Sequence, residues 1–260
     1  MDLELEGRNV LITGGSKGIG LACAEAFLAE GARVALVSRD AANLDQARTR
    51  LNAGDRVQTV AADLRQAASA QEAATRAEAA LGPIHILVNS AGAAKRYLPD
   101  ELNASSWHDA MDAKYFTYVH MLDALLPRMA ARGGGVVVNI IGMGGKVATP
   151  IHLPGGSANA ALMLATVGLA NVYGPKGIRI NAINPAATMT ERVQEALRLE
   201  AKSRGVTEAE VLAQGEAKVP LRRYASARDV AELTVFLASA RAGYITGAIV
   251  PMDGGANPVL

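Results

Sequence analysis

Two stretches of this chain have residue types and spacing that bear directly on chemistry. The first is "TGGSKGIG", Thr13 to Gly20, which follows a short apolar run and opens a helical stretch. Gly14, Gly18 and Gly20 suit a backbone that turns sharply, lets a pyrophosphate approach the helix N-terminus, and lets helix pack on strand. Placed at the first strand-to-helix junction, that pattern points to nucleotide binding. The second is "PGGSANAALMLA", Pro154 to Ala165, which reads as a loop closing onto a helix with Ser157 able to cap its first turn. No side chain in it can give or take a proton near neutral pH, and that absence becomes informative below.

The elements that must position these stretches alternate. Apolar strand patterns lie at 8–13, 33–38, 56–63, 84–89, 135–141 and 178–184, with a seventh at 247–255. Helical patterns fill 18–30, 41–53, 66–80, 105–132 and 157–173 between them. Strands alternating with helices at this spacing imply right-handed crossovers and a parallel sheet. The strands are rich in Val and Ile throughout, as expected when both faces are covered. The expected fold is α/β: one doubly wound domain over 1–260, with the charged, helical segment 191–220 as a flap over the sheet edge.

The glycine spacing is T-G-x-x-x-G-x-G, which resembles the short-chain dehydrogenase/reductase family. "NSAG" (89–92), "INPAATMT" (183–190), "DVAELTVFLAS" (229–239), "YITG" (244–247) and "DGG" (253–255) resemble that family's other motifs, so the likeness covers essentially the whole chain. It implies a Rossmann-type sheet and a nicotinamide dinucleotide held by Gly14, Ser16, Lys17, Gly18, Ile19 and Gly20. By the same resemblance Asp63 and Leu64 border the adenine, and Asn89, Ala91 and Gly92 line the adenosine ribose. Pro185, Ala186, Thr188 and Thr190 then hold the nicotinamide, with Ala186 in place of a usual glycine. The second strand ends in Ser38-Arg39. An acid there would bind the ribose hydroxyls of NAD(H). Arg39, with Lys17 nearby, instead suits the extra phosphate of NADP(H), which is the expected cofactor.

The family's proton-transfer residues are another matter. Counting from Asn139, the serine position is Gly142, the tyrosine position is Gly155 and the lysine position is Asn159. The asparagine position in the preceding long helix is Lys114. Reduction of a carbonyl needs a proton donor and a stabiliser of charge on oxygen. Substitute candidates are Lys114 and Asn159, which look exchanged relative to the family, and His152, whose imidazole titrates in a useful range. Tyr97 and Tyr115 are weaker ones. Three readings stay open: an NADP(H)-dependent oxidoreductase of carbonyl or alcohol substrates with non-standard catalytic residues, a catalytically impaired NADP(H)-binding protein acting as sensor or structural oligomer, or a different reaction in which an enlarged glycine-lined pocket accepts a bulkier or self-protonating substrate. The substrate-pocket wall is expected from Ala93 to Pro99, from Gly142 to Leu153 and from the flap.

Composition excludes other classes. Net charge is +1 with no basic block, so no nucleic-acid partner is expected. Cys23 is the only cysteine, which rules out an internal disulfide and a cysteine metal cluster, and no metal is expected. The first residues are acidic where a secretory leader would be basic, and no apolar run approaches the ~20 residues of a bilayer span, so a cytoplasmic protein without a membrane partner is expected. The helix beginning "NAALMLATVGLANVYG" is apolar on nearly every face, so a homo-oligomer is expected across it and the 105–132 helix; the family resemblance implies a homotetramer, with a homodimer as the alternative.

Overall fold

A computed structural model describes residues 2–92 and 94–257, with Arg192 known by its backbone only. Strands β1 (Asn9–Thr13), β2 (Arg33–Ser38), β3 (Val57–Ala61), β4 (Ile86–Asn89), β5 (Gly135–Ile140), β6 (Ile178–Pro185) and β9 (Ile249–Met252) form one parallel sheet in the order β3-β2-β1-β4-β5-β6-β9. A two-stranded parallel ladder, β7 (Thr188–Met189) with β8 (Ala225–Ser226), stands apart from it. Helices α1 (Gly18–Ala29), α2 (Ala41–Leu51) and α9 (Ala227–Ala238) accompany one core with Val10, Ile12, Val34 and Leu36. Helices α3 (Ala67–Leu81) and α5 (Thr117–Ala131) accompany the other with Leu11, Ala35, Val37 and Leu87. Alternate residues of β1 and β2 thus go to opposite cores, which is why these strands read as unbroken apolar runs.

The chain order reverses between β1 and β4, and at that switch point the strand ends open a crevice. Register places Thr13 beside Asn89, and Asn89 beside Asn139. From that row a chain of buried polar contacts runs across the sheet. Asn89 Nδ2 donates to Asn139 Oδ1 at 3.0 Å, Asn139 Nδ2 donates to Thr166 Oγ1 at 3.0 Å, and Thr166 Oγ1 donates to the Leu162 carbonyl at 2.8 Å. It ties β4 and β5 to helix α6 (Leu153–Tyr173) and so fixes where α6 begins.

Four expectations from the sequence are corrected. The 105–132 helix is three pieces: α4 (Ala104–Ala110), a π-helical segment (Met111–Phe116) and α5. Helix α6 starts at Leu153, so Pro154, Gly155 and Gly156 form its first turn and Ser157 is an exposed residue inside it rather than its cap. Proline in a first turn loses no hydrogen bond, which lets the helix start early. The seventh strand spans only 249–252. Finally, Pro150–Lys176 is 27 residues long and apolar enough to cross a bilayer, contrary to the expected absence of such a run. Here it lies against the sheet, with Leu162, Thr166 and Ala170 buried. The 191–220 segment forms α7 (Glu191–Arg204) and α8 (Glu208–Glu216), the latter opened by a reciprocal cap between Thr207 and Glu210.

Candidate active site

The turn after β1 is built for close approach. A Cβ on Gly14 would lie 2.9 Å from the Ser90 carbonyl oxygen, and one on Gly20 would lie 2.3 Å from the Gly14 carbonyl oxygen. Gly14 and Gly18 both take positive φ, +65° and +54°. Lys17, at the N-cap of α1, offers no side-chain hydrogen bond, and the first turn holds no acid. The leading N–H groups of α1 therefore keep their donors for an incoming anion, as a pyrophosphate site requires. Thr13, which the sequence reading left out, braces the turn. Its Oγ1 accepts from the backbone N–H of Ser90 at 3.0 Å and of Ala91 at 3.1 Å. The leading T of the glycine motif was the available signal.

A cavity of about 560 Å³ at the switch point is lined by Gly14, Ser38, Arg39, Asp63, Leu64, Ala91 and Gly92, all expected, by Lys95 from the expected pocket wall, and by Ser90, Arg65 and Asp112, which were not expected. Ser16 joins at its edge, its hydroxyl donating to Ser38 Oγ at 3.1 Å. Arg39 is exposed and flanks a second hollow with Ser38, Asp40 and Asn43. Arg65 pairs with Asp63 at 2.5 Å, and this bond holds the Asp63 carboxyl below its ordinary range, with the Arg39 charge adding to the effect. Thr190 lies over Gly18, its Cγ2 3.5 Å from where a Cβ would stand. Other expected residues act differently. The Asn89 side chain is fully buried in the polar row, so any role toward a ribose is indirect. Ile19 packs on the core, Lys17 is exposed, and Thr188 donates to the Ala186 carbonyl at 3.2 Å. Ala186 and Pro185 sit at the end of β6, where the Ala186 N–H bonds the Met252 carbonyl.

The proton-transfer candidates gather round the turn that leaves β5. Lys114, in the π-helical segment, donates from Nζ to the Tyr118 hydroxyl at 2.6 Å and to the Ile140 carbonyl at 3.1 Å. Tyr118 is fully buried and its own hydroxyl donates to the same carbonyl at 2.5 Å. Burial raises the Tyr118 phenol well above its ordinary value, so it stays protonated and holds the lysine in place. This Lys-x-x-x-Tyr pair was missed by sequence reading, though its i, i+4 spacing was legible.

His152 and Asn159 approach the same turn from α6. A Cβ on Gly155 would lie 2.3 Å from His152 Cε1, 2.6 Å from its Nε2 and 2.8 Å from Ala94 Cβ. The half-buried imidazole therefore occupies the root of the space that a side chain at 155 would take. Gly145 and Gly156 differ: their Cβ positions meet backbone, Ala160 N at 2.7 Å and Gly144 O at 2.6 Å, so helix packing alone requires glycine there. A Cβ on Gly142 would stand 3.1 Å from Asn159 Nδ2. Of the expected pocket wall, Lys95 and Tyr97 line the cavity and the Tyr97 N–H bonds the Ile151 carbonyl beside His152, while Ala93 lies outside the described residues. Tyr115 packs edge-on to Phe116 and against the small core around Tyr118. Among the described residues no cluster of potential metal ligands occurs.

Residues 14–257 match a family described as enoyl-(acyl carrier protein) reductase. The chain is 33% identical to 2-(S)-hydroxypropyl-CoM dehydrogenase 3 of Xanthobacter autotrophicus, over 100% of both chains. It is 34% identical to D-threitol dehydrogenase of Mycolicibacterium smegmatis, over 98% of this chain and 94% of that one. The crystal structure of L-sorbose reductase from Gluconobacter frateurii, complexed with NADPH and L-sorbose, superposes with a TM-score of 0.95 at 31% identity and 100% coverage of both chains.

Proposed function

The chain belongs to the short-chain dehydrogenase/reductase family and is an oxidoreductase of that type; on that premise we propose that it moves hydride between NADP(H) and the carbonyl or secondary alcohol of a small polar molecule, with His152 as the proton donor. The observation that carries the reading is the His152 ring seated at the root of position 155, where the family resemblance places a tyrosine. A titratable group has been exchanged for another from three residues upstream, and the glycine is what admits it.

Preference for NADP(H) over NAD(H) rests on Arg39, with the Ser16–Ser38 hydroxyl pair beside it and no acid at the end of β2. It is supported by the NADPH complex of the sorbose reductase. Each charge-assisted bond to a 2′-phosphate contributes about 1.5–3 kcal/mol. The substrate class is proposed from the relatives, whose names describe dehydrogenation of a polyol or reduction of a ketose.

Bound NADPH supplies the hydride. As the carbonyl carbon takes it, the C–O π electrons become charge on oxygen, and the His152 imidazolium gives that oxygen its proton, leaving neutral imidazole and alcohol. A phenol rooted at 155 would reach well beyond its Cβ, whereas the imidazole nitrogen stays near the root. The reacting oxygen is therefore placed deeper, beside Gly142, where a Cβ would meet only the Asn159 amide. Lys114, anchored by Tyr118 and Ile140, sets the positive potential of that wall. Segment 191–220, two helices after β7, is the proposed substrate flap. The outer face of α6, where Leu164 is 77% and Val172 58% exposed, is proposed as the contact between copies in a homodimer or homotetramer.

The test is titration of the purified protein with NADPH and NADH by nicotinamide fluorescence, then 340 nm absorbance against ketoses, small ketones and polyols. Tighter binding of NADPH with turnover lost in His152→Ala supports the reading. Tight NADPH binding without turnover by any of them favours the sensor.

A further inference from the structure

Asn159 stands in the first half of α6, buried to 4% exposure, and among the described residues its Oδ1 has no hydrogen-bond partner. An unpaired carboxamide oxygen in a sealed position is unfavourable. Among the described residues, the neighbouring polar row that secures α6 runs through Asn139 and Thr166 and does not include it. The other end of the same amide does have a direction. Nδ2 lies 3.1 Å from where a Cβ on Gly142 would stand and 3.8 Å from where one on Gly144 would stand. The amide therefore faces the hollow that a side chain at 142 would fill, two residues beyond the carboxyl end of β5 at Ile140.

We infer that the Asn159 amide donates a hydrogen bond to the reacting oxygen of the substrate, in the hollow left by glycine at 142. The assignment rests on the oxidoreductase reading above and adds to it the group that stabilises charge on that oxygen. The pairing of the two positions is complementary. Glycine at 142 makes room for an oxygen within reach of Nδ2, and asparagine at 159 supplies the side-chain donor that glycine lacks. A donor aimed at developing charge in a closed site acts mainly on the transition state. With NADPH bound to supply hydride, the carbonyl π bond would break as its carbon takes that hydride, the oxygen would take the electron pair while bonded to Asn159 Nδ2–H, and the proton would then come from His152. Asn159 loses nothing and ends as it began.

Asn159→Leu, which is nearly isosteric, separates this role from a structural one. Thermal unfolding, NADPH titration and steady-state kinetics are measured on wild type, Asn159→Leu and Gly142→Ala. Removal of an unpaired buried oxygen raises the Tm of Asn159→Leu by ~2–4 °C. NADPH affinity stays within about twofold, and kcat falls ~10²-fold with little change in KM. Gly142→Ala places a methyl against Nδ2 and lowers kcat in the same direction with cofactor binding intact. A fall of several degrees in the Tm of Asn159→Leu would mean that the fold pairs the carboxamide itself, and would overturn the assignment. Unchanged kcat in a variant that binds NADPH would overturn it as well. Failure of the wild type to bind NADPH would instead sink the oxidoreductase reading, and the Tm comparison would still judge Asn159.

Discussion

A single methyl group at position 155 should disable this protein. The Cβ of Gly155→Ala would come within 2.3 Å of His152 Cε1 and 2.6 Å of Nε2. Ordinary carbon contacts begin near ~3.4 Å, so the ring must retreat by about 1 Å or leave. Ala94 Cβ, 2.8 Å from the same point, blocks relief on its side. No polar group is added and helix propensity improves, so the strain falls on the His152 ring and on Ala94. A displacement of ~1 Å at a proton donor costs about 10²-fold in rate, and its loss 10²–10⁴-fold. Gly155→Ala and His152→Ala should each lower kcat within that range and leave NADPH affinity unchanged. The double variant should be no worse than the poorer single, because both remove one group. The assay is kcat from 340 nm absorbance on the four proteins of the cycle. Full activity in Gly155→Ala, or losses that multiply in the double variant, would refute the placement of His152.

Other outcomes follow from the same structure. Arg39→Ala should weaken NADPH binding by ~10–100-fold and leave NADH binding unchanged, measured by fluorescence titration. His85 accepts the Asn9 N–H at Nδ1, at 3.0 Å, and burial, with the Arg8 and Arg132 charges, holds its imidazole below its ordinary value. The unfolded chain therefore binds that proton more readily. Stability from this site is complete above the unfolded value near ~6.5 and is lost as pH falls through the depressed one. Wild-type Tm should drop from pH 7.5 to 5.5, and His85→Gln should flatten that drop; equal slopes would exclude His85 as the cause. Leu164→Arg, at a site 77% exposed, should leave Tm of the protomer unchanged and shift mass by light scattering to a smaller species.

Much of the fold was written in local pattern. Valine and isoleucine runs marked six strands within a residue or two, because a sheet covered on both faces tolerates little else. Glycines before Gly18 marked the crevice, because a turn this tight excludes Cβ at Gly14 and Gly20. The rest depended on distance in space. Nothing local announces a π-helical segment at 111–116, since Met-Asp-Ala-Lys-Tyr-Phe carries no signal against an ordinary α-helix. The start of α6 four residues early came from packing, with Gly145 and Gly156 against backbone. Asn89 looks like a ribose ligand in sequence and is a sheet brace in space, because register sets it beside Asn139. The relation of His152 to Gly155 is invisible in one dimension: three residues apart, they share one volume only because the 3-10 turn Pro150–His152 folds the ring back over the helix start.

Hydride transfer itself can be followed with label. The protein is incubated with NADPH carrying deuterium at the nicotinamide C4 position that faces substrate, with ketoses and small ketones in turn, and products are read by mass spectrometry. The account predicts one deuterium on the carbinol carbon of at least one product, formed by wild type at least ~10²-fold faster than by His152→Ala. Stoichiometric NADPH binding with no label in any product would contradict it.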